Sequence, residues 1–260
     1  MNKRKYFLTV PFIVLPLVAS LTAAPSAATS AQPAAAKPAN VTGVSLRLAS
    51  RYDTLAGVGG AEISAMDAKS KRLFITNGVN NTIDIVDISD IKKPKLVKAV
   101  SLSDKGVTGI QSVAAQNGLV VVATSVGAKT APGRVFMMDV DGNLFASAPK
   151  GVEVGVLPDS IHISPNGRFV LTANEGEPKD YCKVNGALPE TSDPKGSVSM
   201  IDTTAKKIVA KTLDFTAFAE RANGIIYAGG RVYGPGATVA QDLEPEYIAI
   251  SKDSKTAWVT

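Results

Sequence analysis

A unit of about 48 residues recurs along this 260-residue chain, and a recurrence of that length rules out most folds at once. Four segments share one pattern: AEISAMDAKSKRLFITN (61–77), IQSVAAQNGLVVVAT (110–124), PDSIHISPNGRFVLTAN (158–174) and PEYIAISKDSKTAWVT (245–260). Each reads as a short alternating strand, a tight polar turn (KSKR, QNG, SPNG, KDSK) and a continuous apolar strand. The first three are each followed by a second hairpin, over 82–102, 134–151 and 197–215, in which Asp87, Asp139 and Asp202 close an alternating strand. Repeat starts at Glu62, Gln111 and Asp159 are spaced by 49 and 48 residues, and the next, Glu246, lies 87 further on. Four antiparallel strands per unit at this period predict an all-β fold, a β-propeller of four-stranded blades with WD40/YVTN-like repeats. About three and a half blades are present, over 44–260, which reads as the N-terminal fragment of a longer propeller. DFTAFAERA (214–222) is the single helical candidate.

In a blade the innermost strand, A, runs away from one face and strand B returns to it. The B–C loops and the D–A connections therefore share a face. Two insertions fall there: residues 175–195, a B–C loop, and 216–244, a D–A connection. Glu62, Asp159 and Glu246 stand at the starts of A strands, and Asn77 and Asn174 at the ends of B strands. This register places both insertions over one mouth of the central channel.

That mouth is acidic. Glu175, Glu177, Asp242, Glu244 and Glu246 form the expected metal-ligand set, with Asp159 and Asp180 on the same face. Several carboxylates on loops suit a hard cation such as Ca²⁺, which takes its oxygen ligands from flexible segments. The competing reading is that these acids are solvated or paired with Arg51, Lys179 or Arg231. His162, between Ile161 and Ile163, reads as a hydrogen-bonded core residue, and Trp258, Phe169 and Tyr247 read as packing between blades. Gly234-Pro235-Gly236 reads as a turn, because it lacks the strand and helix of a phosphate loop. The sequence offers no Ser/His/Asp set, zinc spacing or Rossmann fingerprint, so catalytic residues are unassigned and no organic cofactor is expected.

Residues 2–5 (NKRK) precede an apolar run and Ser26-Ala27-Ala28, the order of a secretory signal over 1–28. Residues 29–43, almost all Ala, Pro, Ser and Thr, read as a flexible leader. The expected location is secreted, periplasmic or cell-surface, with no transmembrane span after signal cleavage. The formal charge is +5, from 28 basic and 23 acidic residues. Without Lys3, Arg4 and Lys5 the balance is 25 to 23, which argues against a nucleic-acid partner. Cys182 is the only cysteine, so no internal disulfide forms.

The stretches LASRYDTLAGVGGAEISAMDAKSKRLFITNG, NTIDIVDISD, LPDSIHISPNGRFVLTANEGEP, GSVSMID and GPGATVAQDLEPEYIAIS together resemble the choice-of-anchor I family. These are exported bacterial propellers, similar to mesenchyme-specific cell-surface glycoproteins. The resemblance extends from about Val44 to Thr260 and is most specific at ANEGEP (173–178) and GPGATVAQDLEPEY (234–247). It implies a seven-bladed propeller with a variable C-terminal anchor in full-length members. The leading expectation is a non-enzymatic module that binds a ligand, glycan or mineral ion at the face carrying the insertions. The rival is a metal-dependent phosphoesterase of alkaline-phosphatase-like or phytase-esterase-like type, in which a bound cation polarises a phosphoryl oxygen.

Overall fold

Every sheet in the molecule is built from neighbours in sequence, paired antiparallel. The computed structural model describes residues 43, 45–180, 192–232, 234 and 236–260. The expected signal peptide, most of the leader and Cys182 lie outside the described residues. Blade 1 is β1 (Ser64–Asp67), β2 (Arg72–Asn77), β3 (Thr82–Asp87) and β4 (Lys95–Ser101), hydrogen-bonded in that order. Blade 2 is β5 (Val107–Gln116), β6 (Leu119–Val126), β7 (Pro132–Met138) and β8 (Val152–Val156). Blade 3 is β9 (Pro158–Ile163), β10 (Phe169–Asn174), β11 (Ser197–Asp202) and β12 (Ala210–Asp214). A final hairpin pairs β13 (Ile248–Ile250) with β14 (Ala257–Val259). The all-β architecture of four-stranded blades read from the repeat is the observed one.

The strand sequences explain the layering. β2, β3, β6 and β7 are rich in β-branched and aromatic residues and sit in the middle of their sheets, covered on both faces. Phe74, Ile83 and Ile85 of blade 1 pack with Val120, Val122 and Phe136 of blade 2 in one core cluster. The other side of blade 2, with Val121, Val135 and Met137, packs on Ile161, Val170 and Ile201 of blade 3. A smaller cluster, with Leu171, Ala173 and Ile248, joins blade 3 to the last hairpin. Outer strands β4 and β12 are largely exposed and carry lysines, which blunt a bare edge.

On the face of the A–B turns, each turn bonds to the next. Asp67 Oδ1 accepts from Gly118 N (3.1 Å), Gln116 Nε2 donates to Ser164 O (3.1 Å), and Asn166 N donates to Ser254 Oγ (3.1 Å).

Three expectations need correction. The fourth strand of blade 2 lies at Val152–Val156 rather than inside 134–151. The Asp139 carboxylate gathers Asp141 N and Asn143 N, and Leu144 makes only an isolated bridge before a second turn ends at Gly151. Helical structure extends beyond 214–222: a 3₁₀ turn at Thr216–Arg221 runs into α1 (Ala222–Tyr227), and one further turn forms α2 (Val239–Asp242). Trp258 is not core; it lies on β14, all of whose residues are exposed, and is 59% accessible. Among the described residues no helix is long and apolar enough to cross a membrane.

Candidate functional site

The site begins where β9 meets β10. Their register shifts between Ala173 and Asn174, so Asn174 pairs with Pro158. The chain continues the ladder past the strand end: Glu175 N donates to Leu157 O (3.0 Å) and Gly176 N to Val156 O (3.1 Å). These two bonds hold the first residues of the 175–195 insertion against the start of the innermost strand, bringing Glu175 beside Asp159. Below them Asn174, fully buried, donates to Ser197 Oγ and Ser199 Oγ and accepts from Thr172 Oγ1. The strand end is therefore rigid.

Glu246 arrives from the other insertion. α2 starts at a capping box: Thr238 Oγ1 accepts from Gln241 N, and Gln241 Oε1 accepts from Thr238 N. Gln241, 5% exposed, also donates from Nε2 to Asp193 O (2.9 Å), and Gly196 N donates to Ala240 O (2.9 Å). Gly196 admits this contact because it has no Cβ; one would strike Leu243 O. The two insertions thus meet on one face. Beyond Leu243 the chain turns into the innermost position, where Glu246 N donates to Thr260 O (2.7 Å).

One carboxylate oxygen from each of Asp159, Glu175 and Glu246 lies within 4.8 Å of the others. The group spans a sheltered-to-open gradient, with Asp159 and Glu175 half-buried and Glu246 exposed. Burial pushes the Glu175 carboxyl up to about 8, aided by the charges of Asp159, Glu177, Glu246 and Glu244. Burial also raises Asp159, reinforced by Glu246, Glu177 and Glu62. Like charges so close in a partly dry setting resist simultaneous ionisation, and a divalent cation among them removes that resistance.

Of the residues expected from sequence, Glu175 and Glu246 meet here. Glu177 and Glu244 are close enough to act on Glu175 through space, but Glu177 is paired with Lys129 (2.8 Å). Asp242 instead accepts from Gly234 N (2.6 Å) and ties the insertion to itself. Asp159 completes the group. It was legible as a member of the acidic face, and its repeat equivalence to Glu62 and Glu246 was the signal for adding it to the ligands.

Asp159 and Glu246 also line an open pocket of about 600 Å³ along the innermost strands. Glu62, Asp159 and Glu246 stand in its wall, with Ser64, Ser112, Ser160, Gln116, His162 and Tyr247 among the other lining residues. His162 bonds to Ser160 Oγ through Nε2 (3.0 Å) and meets Tyr247 in a T-shaped contact, ring centroids 4.6 Å apart. Burial lowers the His162 pKa, which favours the neutral ring. The hydrogen bond expected of His162 is present, but the residue is half-buried and lines the pocket rather than the core. Tyr247 is 58% exposed, so it is a wall residue rather than core. Among the polar groups of the 234–237 segment, Ala237 N donates to Gly234 O, as the turn reading requires.

The choice-of-anchor I domain matches residues 62–260. The chain belongs to that family. The match includes both insertions and all three carboxylates of the cluster. No curated protein matches the chain. Among solved structures it is similar to the periplasmic gluconolactonase of Pseudomonas aeruginosa, with 14% identity, 76% of this chain and 49% of that one covered, and a TM-score of 0.46. It is also similar to a protein of unknown function from Desulfotomaculum acetoxidans (16%, 77% and 48% covered, 0.43) and to TolB of Acinetobacter baumannii (9%, 76% and 37% covered, 0.40). The chain spans about half the length of the first two.

Proposed function

We propose that this choice-of-anchor I chain is an exported, non-catalytic binding module of the cell surface or its surroundings. Its working face is the acidic mouth, where Asp159, Glu175 and Glu246 hold a divalent cation. One observation carries the reading: three carboxylate oxygens from three separate segments lie within 4.8 Å of one another. Three carboxylates supply three to six oxygens in a flexible arrangement, which fits Ca²⁺ better than Mg²⁺, with its demand for a compact octahedron. Glu177 and Glu244 contribute charge from behind. The basic stretch at residues 2–5 and the apolar run after it support export.

Thermal melts test this. A cation that binds only the folded protein raises stability with concentration, by roughly 2.7 kcal/mol at one hundred times its dissociation constant. Calcium should raise the melting temperature well beyond sodium at matched ionic strength. The Glu175→Gln/Glu246→Gln variant should lose most of that response while being at least as stable without calcium. Equal responses to calcium and sodium would remove the cation from the proposal.

A further inference from the structure

The ends of the blades opposite the acidic mouth carry the opposite charge. We infer that this face docks on a lipid bilayer with anionic headgroups, blade 1 leading, with Ile91 entering the interface and the mouth turned away from it. A–B and C–D turns share one face, because successive strands of a blade alternate in direction. In blade 1 the two turns are joined, Ile88 N donating to Lys71 O (3.0 Å). Together they present Lys69, Lys71, Lys92, Lys93 and Lys95, all exposed. In blade 3 the same joint is Thr203 N to Arg168 O (2.9 Å), and exposed Lys206 and Lys207 follow it. The A–B turn of the last hairpin adds Lys252 and Lys255. Turn tips lie at the ends of the sheets rather than on the faces that pack blade against blade, so their exposure does not depend on that packing.

The acids of this face are engaged within the fold, and its lysines are not. Asp87 is paired with Arg72 (2.7 Å) and Asp202 with Arg168 (2.7 Å). Asp67 is buried and accepts from Ser70 N and Gly118 N. Asp90 and Asp253 accept from amides of their own turns, and blade 2 contributes Asp139 and Asp141 with Lys150. Among the described residues none of the lysines named above stands in an ion pair. An excess of positive charge therefore remains, densest at blade 1. The attraction of each lysine to an anionic surface fades within a Debye length, so lysines spread over several turns act together only against an extended surface. Ile91 selects a bilayer over a soluble polyanion. It is 60% exposed in the middle of the blade 1 lysines and directly precedes Lys92-Lys93. An aliphatic side chain so placed enters the boundary between headgroups and acyl chains, while lysine stems lie along it and leave their ammonium groups at the phosphates.

Vesicle sedimentation with the whole chain tests this, in chelator so that no divalent cation bridges the mouth to lipid. Vesicles of mixed phosphatidylglycerol and phosphatidylcholine should bind the protein, pure phosphatidylcholine vesicles should not, and added salt should release it. Lys69→Glu/Lys92→Glu/Lys93→Glu should weaken binding roughly tenfold or more. Ile91→Ser should weaken it severalfold while leaving the salt dependence in place. These positions are exposed, so the melting temperatures should match the wild type, and Lys206→Glu/Lys207→Glu offers a second reversal on a separate blade. The Glu175→Gln/Glu246→Gln variant should bind vesicles at least as well as the wild type, which keeps the outcome separate from that of the cation reading. No binding to the anionic vesicles at low salt, or binding unchanged by both lysine reversals, would overturn the inference. Soluble polyphosphate that binds as tightly as the vesicles, with Ile91→Ser without effect, would assign the face to an anionic polymer and overturn the bilayer. Competition by inorganic phosphate at matched ionic strength would reduce the face to a phosphate site and overturn it likewise.

Discussion

Ionising Glu175 places a negative charge among Asp159, Glu246 and Glu244 in a half-buried position, and its carboxyl rises from the ordinary 4.5 to about 8. The folded chain therefore keeps a proton that the unfolded chain releases. The resulting stability is fully present below the unfolded value and is lost as pH rises through about 8. In chelator, the melting temperature should fall between pH 5 and pH 8, and Glu175→Gln should flatten that slope. Solvent screening limits the contribution of a group that is only half-buried to about 1 kcal/mol, roughly 2–4 °C for a domain of this size. A wild-type slope unchanged in the variant would place the titration elsewhere. At this scale the sequence was readable where a residue repeats. Asp87 and Asp202 end their strands and accept from backbone amides two residues on, as their recurring position suggested. That Asp159 and Glu175 share a face was readable, but how closely they approach was not, because no spacing reports the register shift at Ala173–Asn174.

Among the elements, α2 is a single turn yet well anchored, with Val239, Ala240 and Gln241 all buried. Gln241 closes the capping box and holds Asp193 O, so Gln241→Ala removes two roles at once. It should destabilise the protein by about 1–2 kcal/mol. Gly196→Ala should destabilise by on the order of 1–3 kcal/mol, since the new methyl meets Leu243 O and the Pro245 ring with no free space. Chemical denaturation read by Trp258 fluorescence or by circular dichroism measures both. The capping signature T-V-A-Q stands openly at 238–241, yet the surrounding Gly and Pro residues read as loop. Hairpins with recurring turns were legible throughout. β8 was not, since the apolar residues of NLFASA imitate a strand that Asp139 turns into a loop.

For the molecule as a whole, blade 2 is flanked on both sides by a four-stranded blade, by blade 1 through the cluster around Phe74 and Phe136 and by blade 3 through that around Val135 and Ile161. Repeat arrays draw stability from nearest-neighbour interfaces. Native-state hydrogen exchange should therefore show β6 and β7 as the slowest strands and β13–β14 among the fastest. Uniform protection across all sheets would contradict this. Enzymatic activity has an equally direct check. Chelator-sensitive turnover of a generic phosphomonoester, abolished in Glu175→Ala, would replace the binding-module reading with the phosphoesterase one.

The hydrogen bonds between successive A–B turns have a consequence for how such a protein can lengthen or shorten. Each bond pairs a side chain of one turn with a backbone group of the next or, at Ser254, the reverse. Asn117-Gly118 and Asn166-Gly167 occupy matching places, but Gly118 N reaches out to Asp67 Oδ1 whereas Gly167 N closes its own turn on Ser164 O (2.7 Å). Each seam thus uses a different pair of groups, so a duplication or loss of one whole unit sets a turn against a neighbour it does not match. The seam therefore records the order of its members, and a change in their number has to rebuild the bonds on either side of it.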